Sequence, residues 1–147
     1  KTVFLEINEE DVVFFSKTTK QEDEIFFNKK VALKKGFPQI VCPPTFLISI
    51  GMKKNILAEI LKDLRVGIEN ILHAGQEFNF KELVFVGDTI YAESKVLDKR
   101  PSKSRPGQGI VTVETIGKNQ NHDIICSYKR TILVMGRDNN LEEKAGY

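Results

Sequence analysis

Proton transfer near neutral pH needs a side chain that titrates there, or a carboxylate held against its substrate, and this sequence offers few of either. His73 and His122 are its two histidines, and its carboxylates crowd together at Glu22-Asp23-Glu24. An acid run between helices reads first as a solvated turn; the sharper reading makes one of these acids, with His73 from a later segment, a displaced acid/base pair. Cys42 and Cys126 lie far apart in no paired motif, and two histidines complete no zinc-ligand spacing, so both read as reduced thiols in or near a core. No metal or other cofactor is expected. The basic stretch Lys99-Arg100-Pro101-Ser102-Lys103-Ser104-Arg105-Pro106-Gly107 reads as a solvated loop, its sharper use being a landing site for a phosphate-bearing carrier. Asp88, after Gly87, reads as the closure of a turn.

The elements that must position these groups follow from period and caps. Asn8 precedes Glu9-Glu10-Asp11, acids where a helix N-terminus favours them, so a first helix is expected over about 9–19. Asn28 caps a second, short helix carrying Val31, Ala32 and Leu33 that Gly36 ends before Pro38. After the rigid Pro43-Pro44-Thr45-Phe46, the residues Ile56, Leu57, Ile60, Leu61 and Leu64 recur at helical spacing and predict a buried helix over about 53–64. The period then becomes two. Leu72, Ala74, Phe78 and Phe80 share one parity, while His73, Glu77 and Asn79 share the other, which places His73 off the core face. Val86-Gly87-Asp88 turns into a strand over 89–96, a Pro/Gly-rich loop leads to 109–116, and Asn119-Gln120-Asn121-His122 signals a hairpin into a last strand over 124–134. Two helices, one apolar helix and four long strands predict an α+β fold in which an antiparallel sheet wraps the apolar helix.

The chain has 147 residues, 41% of them apolar, which predicts one domain over 1–147 with its core at about 8–135 and a polar, fraying tail over 137–147. A net charge of +2 from 22 basic and 20 acidic residues excludes a strong nucleic-acid footprint. The apolar runs fall short of the ~20 residues a membrane span needs, and Lys1 to Asn8 turn acidic before any long apolar segment, so a cytoplasmic protein is expected.

Three stretches carry a resemblance beyond architecture. They are residues 15–28 with Ala32, Gly36-Phe37 and Val41-Cys42-Pro43-Pro44-Thr45-Phe46; then Ile71-Leu72-His73-Ala74-Gly75-Gln76-Glu77-Phe78-Asn79-Phe80 running into Val86-Gly87-Asp88-Thr89-Ile90; and the closing strand pair around Asn119-Gln120-Asn121. Together they resemble the MaoC-like hydratase/dehydratase family of hot-dog proteins over about residues 8–135, most of all its N-terminal-half branch of non-catalytic halves and accessory (3R)-hydroxyacyl-ACP dehydratase subunits. The resemblance implies a hot-dog fold, paired domains whose sheets join side by side as a homodimer or a heterodimer with a catalytic chain, and acyl-CoA or acyl-ACP held at that interface. Active members carry Asp and His in a motif resembling Gly-Asp-x-Asn-Pro-x-His. Aligned from Phe15, this chain puts Lys20 at the Gly, Gln21 at the Asp, Asp23 at the Asn, Glu24 at the Pro and Phe26 at the His. Gln and Phe cannot take and return a proton at neutral pH. The resemblance thus implies a substrate-holding chain, with Phe26, Thr45, His73, Gly75 and Gln76 as the residues to contact the acyl thioester. The alternatives are a self-sufficient hydratase or thioesterase using His73 or nearby carboxylates, and a binding domain with no chemical partner.

Overall fold

The computed structural model describes residues 2–53 and 55–135; the expected tail over 137–147 lies outside them. Asn8 caps the first helix as expected, its side chain accepting from the Asp11 amide at 2.8 Å, and α1 runs Glu9–Thr18. Asn28 does the same for α2, Lys29–Lys34, through the Val31 amide, and Gly36 ends it at φ +91°, a conformation that costs a residue without Cβ little.

The first departure from expectation lies ahead of these helices. Thr2–Glu6 is a strand, β1, with Leu5 buried, so the chain does not begin with helices alone. Its partner is β3 far along the chain, Thr89–Pro101, and no turn signal near residue 6 announces such a pairing. With β2 (Ile71–Phe80), β4 (Gly109–Lys118) and β5 (Ile124–Val134) it completes a five-stranded antiparallel sheet in the order β1-β3-β4-β5-β2. β3 also runs further than expected. Lys99, Arg100 and Pro101 pair with Val111, Ile110 and Gly109, so the start of the basic stretch is strand and only 102–108 is loop.

The second departure is in the wrapped helix, which is interrupted. A 3-10 turn, Pro44–Ile48, leads into α3, Ser49–Lys53, and α4, Ile56–Asp63, begins only after Asn55 at φ 51°, ψ 26°. Asn accepts that left-handed conformation more readily than most residues, which is why the helix breaks there. The break also divides what is covered. Phe46, Leu47 and Ile50 pack with Ile7, Ile90, Ile125 and Cys126 in one apolar cluster, whereas Ile56, Ile60 and Leu61 pack on Val111, Val113 and Ile132 in another. No helix among the described residues is long and apolar enough to cross a membrane.

Candidate functional site

The turn that follows α1 holds its polar groups in local contacts. Asp23 caps the single 3-10 turn Glu24–Phe26 through the Ile25 amide at 3.1 Å and pairs with Lys35 Nζ at 3.0 Å; those two bonds hold its carboxyl below the usual carboxylate range. Glu24 accepts from Asn28 Nδ2 at 2.8 Å, and Gln21 Nε2 reaches Thr19 Oγ1 at 3.4 Å. Glu22, Asp23 and Glu24 are all exposed, whereas Phe26 is half-buried and its carbonyl accepts from the buried Ser16 hydroxyl at 2.9 Å. A carboxylate already engaged and easily ionised is a weak base, Gln21 cannot act as a general base at neutral pH, and Phe26 has neither an exchangeable proton nor a lone pair. Asp88 closes its turn as expected, accepting from the Phe85 amide at 2.9 Å and from Gln120 Nε2 at 2.9 Å.

The strand β2 is placed differently from its sequence parity. Its pairing with β5 shifts between His73 and Gly75, and this bulge absorbs Ala74. His73, opposite Ile132, therefore shares the inner face with Gln76, opposite Arg130, and with Phe78, opposite Tyr128. The two-residue period assigned His73 to the other face, and the bulge is the physical reason for the difference. His73 Nε2 lies 3.3 Å from Gln76 Oε1, so these two expected contact residues meet, while Gly75 sits in the opposite row facing Thr131. β2 pairs on one side only, and it exposes Leu72 and Phe80 along its open edge. Beside its end, Cys42, Pro44, Leu47, Phe80, Leu83 and Val84 line an apolar recess of about 220 Å³, next to the exposed Thr45. Burial raises the Cys42 thiol, with the nearby Asp88 charge adding to it, and burial pushes Cys126 up to about 11, so neither is a ready nucleophile.

Between the two apolar clusters the inner face carries polar side chains. Ser94, Thr115 and Tyr128 share one register row, and Arg130 shares the next with Val113. The Ser94 and Thr115 hydroxyls lie 2.7 Å apart, and Thr115 hydrogen-bonds Tyr128. Burial raises the Tyr128 phenol, with the Thr115 bond and the Arg130 charge offsetting part of that rise. Arg130 is 9% exposed, and its buried Nε has no hydrogen-bond partner. These four residues line one side of a small recess whose other side is Gly51 of α3 and Ile56, Leu57 and Ile60 of α4. Sequence reasoning passed over this seam, although a signal existed: Arg130 lies on the parity of Cys126, Tyr128 and Ile132, where a solvated arginine has no place.

The family model for the FAS1-like dehydratase domain region matches residues 1–128. A UPF0336 protein of Saccharopolyspora erythraea is 25% identical over 133 residues, covering 89% of this chain and 82% of that protein. The mesaconyl-CoA hydratase of Haloarcula hispanica is 26% identical over 127 residues, covering 82% of this chain but 32% of that enzyme. Among solved structures, the C-terminally truncated HadBC (3R)-hydroxyacyl-ACP dehydratase complex of Mycobacterium tuberculosis superposes with a TM-score of 0.75 at 21% identity, covering 89% of this chain and 90% of that one. This chain belongs to the FAS1-like dehydratase domain family, and it has the hot-dog fold of the HadBC and MaoC-like dehydratase structures.

Proposed function

We propose that this member of the FAS1-like dehydratase family is the acyl-thioester-holding chain of an (R)-specific 2-enoyl hydratase or 3-hydroxyacyl dehydratase, and that it leaves the proton transfers to a partner chain. Hydration of a 2-enoyl thioester needs one group to take a proton from water, another to deliver a proton to the α-carbon, and an N–H donor to hold the enolate oxygen as it forms. The observation that carries the reading is the turn after α1. Gln21 and Phe26 stand at the positions matching the family's Asp and His, and the carboxylates between them are exposed, with Asp23 and Glu24 tied into local contacts.

The partner is a second hot-dog domain docked along β2. An unpaired ten-residue edge bearing Leu72 and Phe80 invites strand addition, and a joined sheet would close the 220 Å³ recess into a chamber able to take an acyl chain. Phe26, Thr45, His73, Gly75 and Gln76 are the residues proposed to contact the thioester. HadBC, crystallised as a complex, supports a heteromeric partner, and the mesaconyl-CoA hydratase supports a thioester of CoA as one carrier. Mixing the purified chain with an intact MaoC-like subunit should give a complex by light scattering and raise its dehydratase activity or widen its chain-length range. A chain that stays monomeric and without effect beside every such subunit, and does not pair with itself, refutes the reading.

One observation favours a second reading. The β2 bulge puts the exposed His73 on the same sheet face as Gln76 and joins the two, so His73 could serve as an acid/base of a self-sufficient enzyme. Among the described residues the imidazole meets Gln76 and no carboxylate orients it, and His73→Ala decides between the readings by abolishing or sparing any turnover of the chain alone.

A further inference from the structure

A guanidinium removed from water keeps a large desolvation penalty unless an anion or several acceptors meet it. Arg130 is 91% buried by its 9% exposure, its Nε has no partner, and among the described residues no carboxylate pairs with it. It is also not stranded in an apolar core by itself. The hydroxyls of Ser94, Thr115 and Tyr128 line the same recess and engage one another, so it holds polar groups but no carboxylate, and the guanidinium Nε is the one left without a partner there. The opposite wall is hydrocarbon: Ile56, Leu57 and Ile60. A polar floor around a fixed positive charge, under an aliphatic wall, is complementary to a carboxylate carried on an alkyl chain.

Building on the acyl-thioester reading above, we propose that Arg130 is a specificity-determining residue: it receives a carboxylate at the far end of the acyl group, so this chain prefers ω-carboxyacyl thioesters over neutral ones. The register gives the path. From the apolar recess at Phe80, the inner face of β2 runs past Phe78 to Gln76, which pairs with Arg130, four residues or roughly 13 Å at ~3.3 Å per residue. The recess beneath α4 holds about 10 Å³ of free space, room for about one water, so the tail enters as α4 moves away from the sheet. The covering helix is already interrupted next to this point, at Asn55.

The test measures binding to the purified chain by calorimetry, with ω-carboxyacyl-CoA thioesters from succinyl to sebacyl, each against the neutral acyl-CoA of equal length. At the length that reaches Arg130, the carboxylated ligand should bind on the order of tenfold to a hundredfold more tightly, the range expected for charge-assisted hydrogen bonds. Arg130→Met should erase that preference and leave the neutral ligand bound as before, and Arg130→Lys, which keeps charge but not the planar fork, should retain a reduced part of it. The wild-type comparison stands by itself should a variant fail to fold. Equal or weaker binding of every carboxylated ligand, with the neutral series bound, overturns the role of Arg130 alone. Persistence of the preference in Arg130→Met overturns it too. Failure of both series to bind, by the chain alone and by its complex with a MaoC-like subunit, overturns the acyl-thioester reading and this inference with it.

Discussion

The turn after α1 and the seam between the core clusters are both polar, and they treat their polar atoms in opposite ways. In the turn, Asp23, Glu24, Gln21 and Asn28 engage one another, their neighbours or Lys35, at the surface, where water meets any remaining demand. In the seam the hydroxyls of Ser94, Thr115 and Tyr128 are buried beside an arginine whose Nε finds no partner. Local satisfaction is what a connecting segment needs to hold its shape. The hydroxyls meet one another, but a buried guanidinium nitrogen without an acceptor is costly, and a fold that retains it has a reason to. On the proposed reading, this difference makes the position matching the family's chemistry structural and leaves the interior as the place for a ligand.

The sharpest way to test the difference is through the seam's apolar wall. Ile60 is 5% exposed against Val113 and Ile132, so Ile60→Ala should cost about 2–5 kcal/mol in denaturant unfolding, and the half-buried Leu57→Ala should cost less. Losses within the noise for both would place α4 outside the core. Next in size is the arginine itself. Because it lacks a counter-charge, Arg130→Met should leave stability unchanged or raise it by about 1–4 kcal/mol, whereas a large loss would mean that the guanidinium is already satisfied in the folded chain.

The buried interior and the turn should also answer to opposite ends of the pH scale. Cys126 is raised from 9.0 to about 11, and Cys42 and Tyr128 are raised by burial, so their neutral forms are favoured in the folded chain. Stability from these groups is fully present below about pH 9 and should fall as pH rises toward 11, visible in chemical unfolding at stepped pH. Asp23 acts with the reverse sign. Its contribution is present above the ordinary carboxylate value and is lost as pH falls through its lowered one, and since the group is exposed, Asp23→Asn should move the unfolding midpoint only within measurement scatter. A midpoint shift larger for Asp23→Asn than for Ile60→Ala would reverse the contrast between the regions.

Much of this organisation is legible in the residues themselves, because caps and periods act locally. Asn8 and Asn28 mark their helices, and the apolar spacing from Ile56 to Leu64 marks α4. β1 is not legible, since five residues hold a strand only through the distant β3. The sheet face that His73 takes is hidden as well: a bulge is fixed by the pairing of β2 with β5, and a two-residue period carries no trace of it. The break before α4 depends on the backbone at Asn55, which apolar spacing does not report. Arg130 is the opposite case, as its position in the β5 alternation marks it for the interior, and only the assembled sheet shows which hydroxyls surround it.

The separation of binding from proton transfer is tested most directly by incubating the purified chain alone with crotonyl-CoA and following loss of the enoyl thioester. Without an Asp and a His at positions 21 and 26, each such group accounting for roughly 10²–10⁴-fold of rate, hydration should proceed no faster than in a protein-free control. Steady turnover that disappears in His73→Ala, or when Glu22, Asp23 and Glu24 are neutralised together, would show instead that the proton-transfer groups have moved within the fold and that the chain is an enzyme in its own right.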